Sequence, residues 1–326
     1  MDYQLIFNFL IATMKAIKYL FFLLLIFVIG FAIYIAVQPN TYSISRNKII
    51  KAPLPVVFEK VSDYENWTTW EGERLKITNI ETLESNQNKS ITQQFDLNQP
   101  VVNKAKMLWE FEPVAEGTKI TWTAEGNYDF SNKLSIALSG GLESELAPDL
   151  DAGLDRLDRI VRAEMKKYSI SINGITQHSG GFYLYTTGSV KMSDFKQKRE
   201  EMVAKIKDYA IANGISMAGP PFVMYLKKDE INHAVIFSAC VPTTSQVIAS
   251  ESDILTAQLE PFKAVKTTLN GDYTNLEEAR IKTMDYILKN ELVQKPDGSD
   301  IDVFVTDSKN VPNPAKWVTE IFIAIE

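Results

Sequence analysis

The chain has 326 residues, of which 45% are hydrophobic and 23% charged, enough for about two domains of ordinary size. Its formal net charge of −7 is spread over both halves, so neither half offers the basic excess that a phosphate backbone demands, and no nucleic-acid partner is expected. A single cysteine, Cys240, excludes an internal disulfide, and with only His178 and His233 a zinc site built from His and Cys is not expected; no motif calls for another metal or a cofactor.

From Tyr19 to Val37 the sequence YLFFLLLIFVIGFAIYIAV carries no charge. As a helix rising about 1.5 Å per residue this run extends roughly 28 Å, close to the hydrocarbon thickness of a bilayer. It predicts a single-pass anchor over residues 1–39, with residues 19–37 in the membrane. A cleaved signal peptide is the alternative, but the run exceeds a usual h-region of roughly 7 to 15 residues and no small-x-small cleavage site follows Val37. Lys15 and Lys18 precede the run and Arg46, Lys48 and Lys51 follow it, so positive charge does not choose a side of the membrane. Met14, which opens MKAIKYLFF, is a second candidate start.

Residues 40–167 begin with SISRNKIIKA, which alternates like a strand, followed by Pro53 and Pro55 and by Val57, Phe58, Val61 and Tyr64 at helical spacing. Strand-like runs follow in ERLKITNIETL, KSITQQFDL, NKAKMLWEFEPV and TKITWTAEGNYDF. The region closes with LAPDLDAGLDRLDRIVRAEMKK. Here Leu150, Leu154, Leu157, Val161 and Met165 form an apolar stripe, Pro148 and Asp149 mark the expected start, and Asp149, Asp151, Asp155 and Asp158 are read as the solvated side. With the aromatic pair in DYENWTTW, this order resembles the SRPBCC (polyketide cyclase/START-like) superfamily. The resemblance implies a helix-grip fold, an antiparallel sheet wrapped on a long C-terminal helix, with an apolar cavity for a lipid or polyketide-type ligand. Trp67, Trp70, Trp109 and Trp122 are candidates to line that second cavity, and equally candidates for core packing.

Residues 168–326 contain an internal repeat of strand, helix and two strands. FYLYTTGSV, SDFKQKREEMVAKIKDYAIANGI, PPFVMYLK and HAVIFSACV are followed by PFKAVKTTLNG, TNLEEARIKTMDYILKNEL, DIDVFVTD and KWVTEIFIAI. Both helices carry apolar stripes, and Thr274 with Glu277 reads as a capping box. Two such units sharing an antiparallel sheet would bury both helices on one face and leave the other free. The predicted fold class is therefore α+β throughout, in three parts: an anchor, a helix-grip domain and a duplicated β-α-β-β domain.

GPPFVMYL at 219–226, GDYTNLEEA at 271–279 and VFVTDSKNVPNPAKWVTEIFIAI at 303–325 make this region resemble the GyrI-like effector-binding domain of multidrug-responsive and AraC-type activators. The resemblance implies a small-molecule cavity on the sheet between the two halves, with a glutamate on the last strand; in WVTEI that residue is Glu320.

Alternation alone puts Trp317, Ile321, Ile323 and Ile325 on one face of this strand and Glu320 on the other, with Val318, Phe322 and Ala324. A carboxylate so placed is either a counter-ion for a cationic ligand in an aromatic pocket or an open-face glutamate in water. Candidate walls are Tyr225, Tyr273, Phe222, Phe322 and Trp317, the last on the wrong face by strict alternation. His178, Ser179, Gly180 and Gly181 read as a loop and Cys240 as a small buried hydrophobe.

The function expected is non-catalytic binding of a hydrophobic or cationic small molecule at the membrane, with no DNA-binding module. Any signal would need a protein partner, which the sequence does not name. One alternative, implied by the resemblance, is a hydrolase of reactive small molecules using Glu320 as general base; the other is ligand handling by the helix-grip domain.

Overall fold

A computed structural model of the protein describes residues 3–63, 77–97, 104–127, 130–229, 231–249, 253–296 and 300–326. The chain divides into two compact units, residues 1–161 and 162–326. Trp67 and Trp70 lie outside the described residues.

The first unit opens with helix α1, Tyr3–Val37. Its stretch Thr13–Val37 is long and apolar enough to cross a membrane and is almost entirely unburied. Strand β1, Thr41–Ile50, follows, then helix α2, Leu54–Ser62, which starts behind Pro53 and buries Val56, Val57 and Val61. Strands β2, Ile77–Asn86, β3, Ser90–Leu97, β4, Lys104–Val114, and β5, Gly117–Asn127, complete a five-stranded antiparallel sheet in the order β1-β5-β4-β3-β2. The long closing helix, α4, Leu142–Met165, is preceded by a short helix that the sequence pattern missed, α3, Phe130–Ser139. Helix α4 starts six residues before the expected Pro148, which sits inside it without ending it. Its stripe of Leu150, Leu154, Leu157 and Val161 is buried. Asp149, expected in solvent, is buried as well, whereas Asp151 and Asp155 meet Arg46 at 3.4 Å and Lys48 at 2.7 Å.

The second unit is one eight-stranded antiparallel sheet with two helices. In chain order it comprises β6, Ser169–His178, β7, Gly181–Lys191, α5, Phe195–Ala212, β8, Phe222–Asp229, and β9, Ala234–Thr243. The second copy is β10, Leu255–Leu259, β11, Phe262–Asn270, α6, Leu276–Lys289, β12, Ile301–Phe304, and β13, Val318–Ala324. Each repeat therefore has one strand more than the β-α-β-β unit predicted. In the order β10-β7-β9-β8-β12-β13-β11-β6 each leading strand pairs with the other repeat, β10 with β7 and β6 with β11. The order reads the same from either end once the repeats are exchanged, so a pseudo-twofold axis passes between β8 and β12, where Val223 lies opposite Asp302. The turn before α6 is capped by Asp272, whose side chain accepts from the Thr274 amide at 2.8 Å, and not by Thr274 as predicted.

The faces of this sheet follow from its register, since residues directly opposite one another project to the same side. Thr267, Ile321, Asp302, Val223 and Ala239 stand in one row on the helix side, where Thr267 bonds Thr283 of α6 at 2.7 Å. Ile321, Ile323 and Ile325 pack there with Ile206 of α5 and Ile287 of α6.

Candidate functional site

An antiparallel sheet with helices on one side usually turns a polar face to water on the other. Here the helix-free face is apolar as well. Tyr183, Phe222, Cys240, Leu259, Ala264, Ile301 and Phe322 form a second buried cluster, with Tyr185, Met224, Phe262 and Val303 packed against it. Burial pushes the Tyr183 hydroxyl pKa up to about 12 and raises that of the Cys240 thiol, so both stay protonated at neutral pH.

Glu320 stands on this face, as alternation predicts. Val303 opposes it on β12 and Thr268 on β11, and Lys266, opposite Phe322, is its diagonal neighbour. The Lys266 Nζ reaches Glu320 Oε1 at 2.8 Å, with the two side chains 27% and 28% exposed. The same ammonium lies 5.5 Å from the centroid of the Phe322 ring. The carboxylate, expected to face either a ligand cation or water, thus has a cation of the protein's own beside it.

His178, read from sequence as loop, is the last residue of β6 and belongs to this site. Its ring stacks on Phe262 and meets the edge of Phe322, both at 5.0 Å between centroids. Its Nδ1 accepts from the Gly180 amide at 3.0 Å, leaving Nε2 as the protonated nitrogen of the neutral ring. The turn behind it needs glycine at 180: φ is +68° there, and a Cβ would lie 2.1 Å from the Leu259 carbonyl oxygen. Burial lowers the His178 pKa and the charge of Glu320 partly opposes this.

The sheet divides the predicted walls. Phe222 and Phe322 share the face of Glu320, whereas Tyr225, three residues beyond Phe222, falls on the helix side by the parity of a strand. There its hydroxyl donates to Asp302 Oδ2 at 2.6 Å, and Arg280 Nη2 donates to Asp302 Oδ1, also at 2.6 Å. The Arg280 guanidinium lies 4.3 Å from the Tyr225 ring centroid. Burial and the adjacent Asp302 carboxylate raise the Tyr225 pKa well above its ordinary value. Tyr273 and Trp317 are also on the helix side, their rings stacked at 4.5 Å. Tyr273 borders a cavity of about 440 Å³ beside α5, and Tyr225 one of about 390 Å³ beside α6.

In the first unit Trp109 and Trp122 oppose each other on β4 and β5, fully buried and stacked at 4.3 Å. Gly153 of α4 lies directly on Trp122, where an added Cβ would be 2.6 Å from Cζ3. Trp122 therefore packs against α4, and Trp109 Nε1 donates to the buried Gln93 Oε1 at 3.1 Å.

Lys266, Asp302 and the arginines of α5 and α6 escaped the sequence reading. The two arginines each fall four residues after the first residue of their helix, a repeat-equivalent spacing that was visible in the sequence. The partners of Lys266 and Asp302 were not, because they depend on register across strands.

Among solved structures, the EcmrR C-terminal domain matches with a TM-score of 0.42 and 17% identity, over 49% of this chain and 98% of its own. SAV2435 bound to tetraphenylphosphonium matches with a TM-score of 0.34 and 10% identity, over 49% of this chain and 94% of its own. An uncharacterized conserved protein from Listeria innocua matches with a TM-score of 0.37 and 12% identity, over 52% of this chain and 96% of its own. No family model matches the sequence, and no curated protein matches it.

Proposed function

We propose that this chain is a membrane-tethered, non-catalytic binding protein for a lipophilic cation, which docks on the helix-free face of the second unit against Glu320, Phe322 and His178. One observation carries the reading: carboxylate and ring already hold a cation, the Lys266 ammonium. A lysine with about a quarter of its side chain exposed, on a flexible stem, is a displaceable occupant. A bulky aromatic cation would bring both the charge for Glu320 and apolar surface for Phe322 and Phe262, whereas the strongly hydrated ammonium brings charge alone. The hydrolytic alternative needs Glu320 to take a proton from water, whereas its Oε1 is engaged by the Lys266 ammonium.

Residues 1–39 would be the anchor, and residues 40–167 a helix-grip unit of SRPBCC type whose buried tryptophans are structural. With a formal net charge of −7, the chain is suited to cations and not to nucleic acid.

The test is calorimetric titration of the full chain in lipid nanodiscs with tetraphenylphosphonium, corrected for uptake by protein-free nanodiscs. Glu320→Gln should weaken binding about tenfold, because it removes the charge attraction to a cation that has no hydrogen bond to donate. Equal affinity in the variant would remove the proposal.

A further inference from the structure

The pseudo-twofold makes Arg199 of α5 and Arg280 of α6 equivalent, each four residues into its helix after a single 3-10 turn. It likewise matches Phe304 with Tyr225, and each arginine lies over the ring of the other repeat, Arg199 at 3.9 Å from Phe304 and Arg280 at 4.3 Å from Tyr225. The cavities beside the two helices are equivalent too, one bordered by Arg199, Val203, Pro221 and Phe304, the other by Arg280, Met284, Asp300 and Tyr225.

What differs is the acid. Arg280 is paired with Asp302, fully buried, and Asp300 is close enough for its charge to act on the guanidinium. At the matching positions around Arg199 the chain has Val223 and Pro221. Both oxygens of Asp302 are engaged within its own half of the pattern, one by Arg280 and one by the Tyr225 hydroxyl. Arg199 is 4% exposed, its Nη1 is buried with no hydrogen-bond partner, and its Nη2 makes a long 3.3 Å contact with Glu200, which also accepts from Ser308 at 2.9 Å. A buried guanidinium short of acceptors is costly unless something completes its pairing.

We propose that the cavity of about 440 Å³ beside α5 binds a small organic carboxylate, which from the cavity side would give Arg199 the acid that Asp302 gives Arg280. The planar guanidinium suits a carboxylate's two oxygens. Tyr273, Phe304, Val203 and Ile211 offer an apolar and aromatic wall for the rest of the molecule. Glu200 is the internal competitor that such a ligand must displace. The site is distinct from the cation site in face, in charge and in residues, and does not rest on it.

Calorimetric titration of the full chain in detergent micelles with benzoate, benzamide and sulfate tests this. Benzoate should bind and its neutral isostere benzamide should bind at least about tenfold more weakly, the worth of a charge-assisted pair. Arg199→Met should remove benzoate binding, and Glu200→Gln should tighten it. The second variant removes no buried cation, so it keeps the test independent of any folding loss in the first. The proposal is overturned by benzoate failing to bind at millimolar concentration, by benzamide binding equally, by sulfate binding as well as benzoate, or by Glu200→Gln leaving benzoate affinity unchanged. Tetraphenylphosphonium binding stays as it is in every one of these cases.

Discussion

Lys266 and Glu320 are diagonal neighbours on adjacent antiparallel strands, and the 2.8 Å contact between them places a cation of the protein's own against the Phe322 ring. An ion pair in which each partner keeps over a quarter of its surface contributes about 1 kcal/mol or less to stability. Lys266→Met should therefore fold normally while freeing the carboxylate. Tetraphenylphosphonium affinity should rise up to about fivefold in this variant, the worth of the displaced pair, and Lys266→Met/Glu320→Gln should lose the gain. A lysine variant that binds the cation more weakly than wild type would mean that Lys266 supports the ligand and does not compete with it.

His178 gives the same face a pH dependence. Burial holds its pKa below the ordinary 6.5, so between these two values the unfolded chain binds the proton and the folded one does not. The stability His178 contributes is thus complete above pH 6.5 and declines as pH falls through 6.5 toward the folded value. The hydrogen-exchange protection of the slowest second-unit amides in wild type and His178→Gln, compared between about pH 7.5 and 5.5, should converge as the pH falls. Parallel curves would show that the imidazole is not held neutral by its surroundings.

How far the sequence reached is clearest on β13. Alternation correctly separated Glu320 from Ile321, Ile323 and Ile325, because a side chain's face is a property of one strand. It did not supply Lys266, 54 positions back in the numbering, because that contact depends on how β11 and β13 are registered. Tyr225 was misplaced for a different reason: it was grouped with Phe222 by proximity in sequence, although within their one strand an odd spacing separates their faces. Strands β6 and β10 were missed as members of the repeat because they lie at the two edges of the sheet and carry diluted patterns, alternating only between exposed and half-buried along β6. The helices were legible by their stripes, and the start of α4 was misplaced because Pro148 looks like a first-turn proline.

At the centre of the pseudo-twofold, Asp302 takes two short hydrogen bonds in full burial. Removing one partner of such a pair strands a charge out of water. Asp302→Ala should cost about 3–5 kcal/mol, and Arg280→Met/Asp302→Val, which removes both charges, distinctly less. The readout is hydrogen exchange of the α6 and β12 amides, because a chain of two units does not unfold in one step. Additive losses would show that the two residues are not coupled.

The tether is tested by one charge. Leu24 lies inside the apolar stretch Thr13–Val37 and is exposed along it, so Leu24→Arg places a guanidinium near the middle of the expected span. On insertion scales that costs about 2.5–3.5 kcal/mol, enough to shift a large share of the protein out of the membrane where the span is of ordinary hydrophobicity, and less where the rest of the helix is strongly apolar. The stronger contrast is therefore the chain of residues 40–326. Alkaline carbonate should leave the full chain in the membrane pellet, release the shortened chain, and release more of Leu24→Arg than of wild type. Intact mass of the membrane fraction separates anchor from signal peptide: an anchor keeps residues 19–37, and a mature chain beginning after Val37 would show that the helix is removed and that the binding units are not tethered by it.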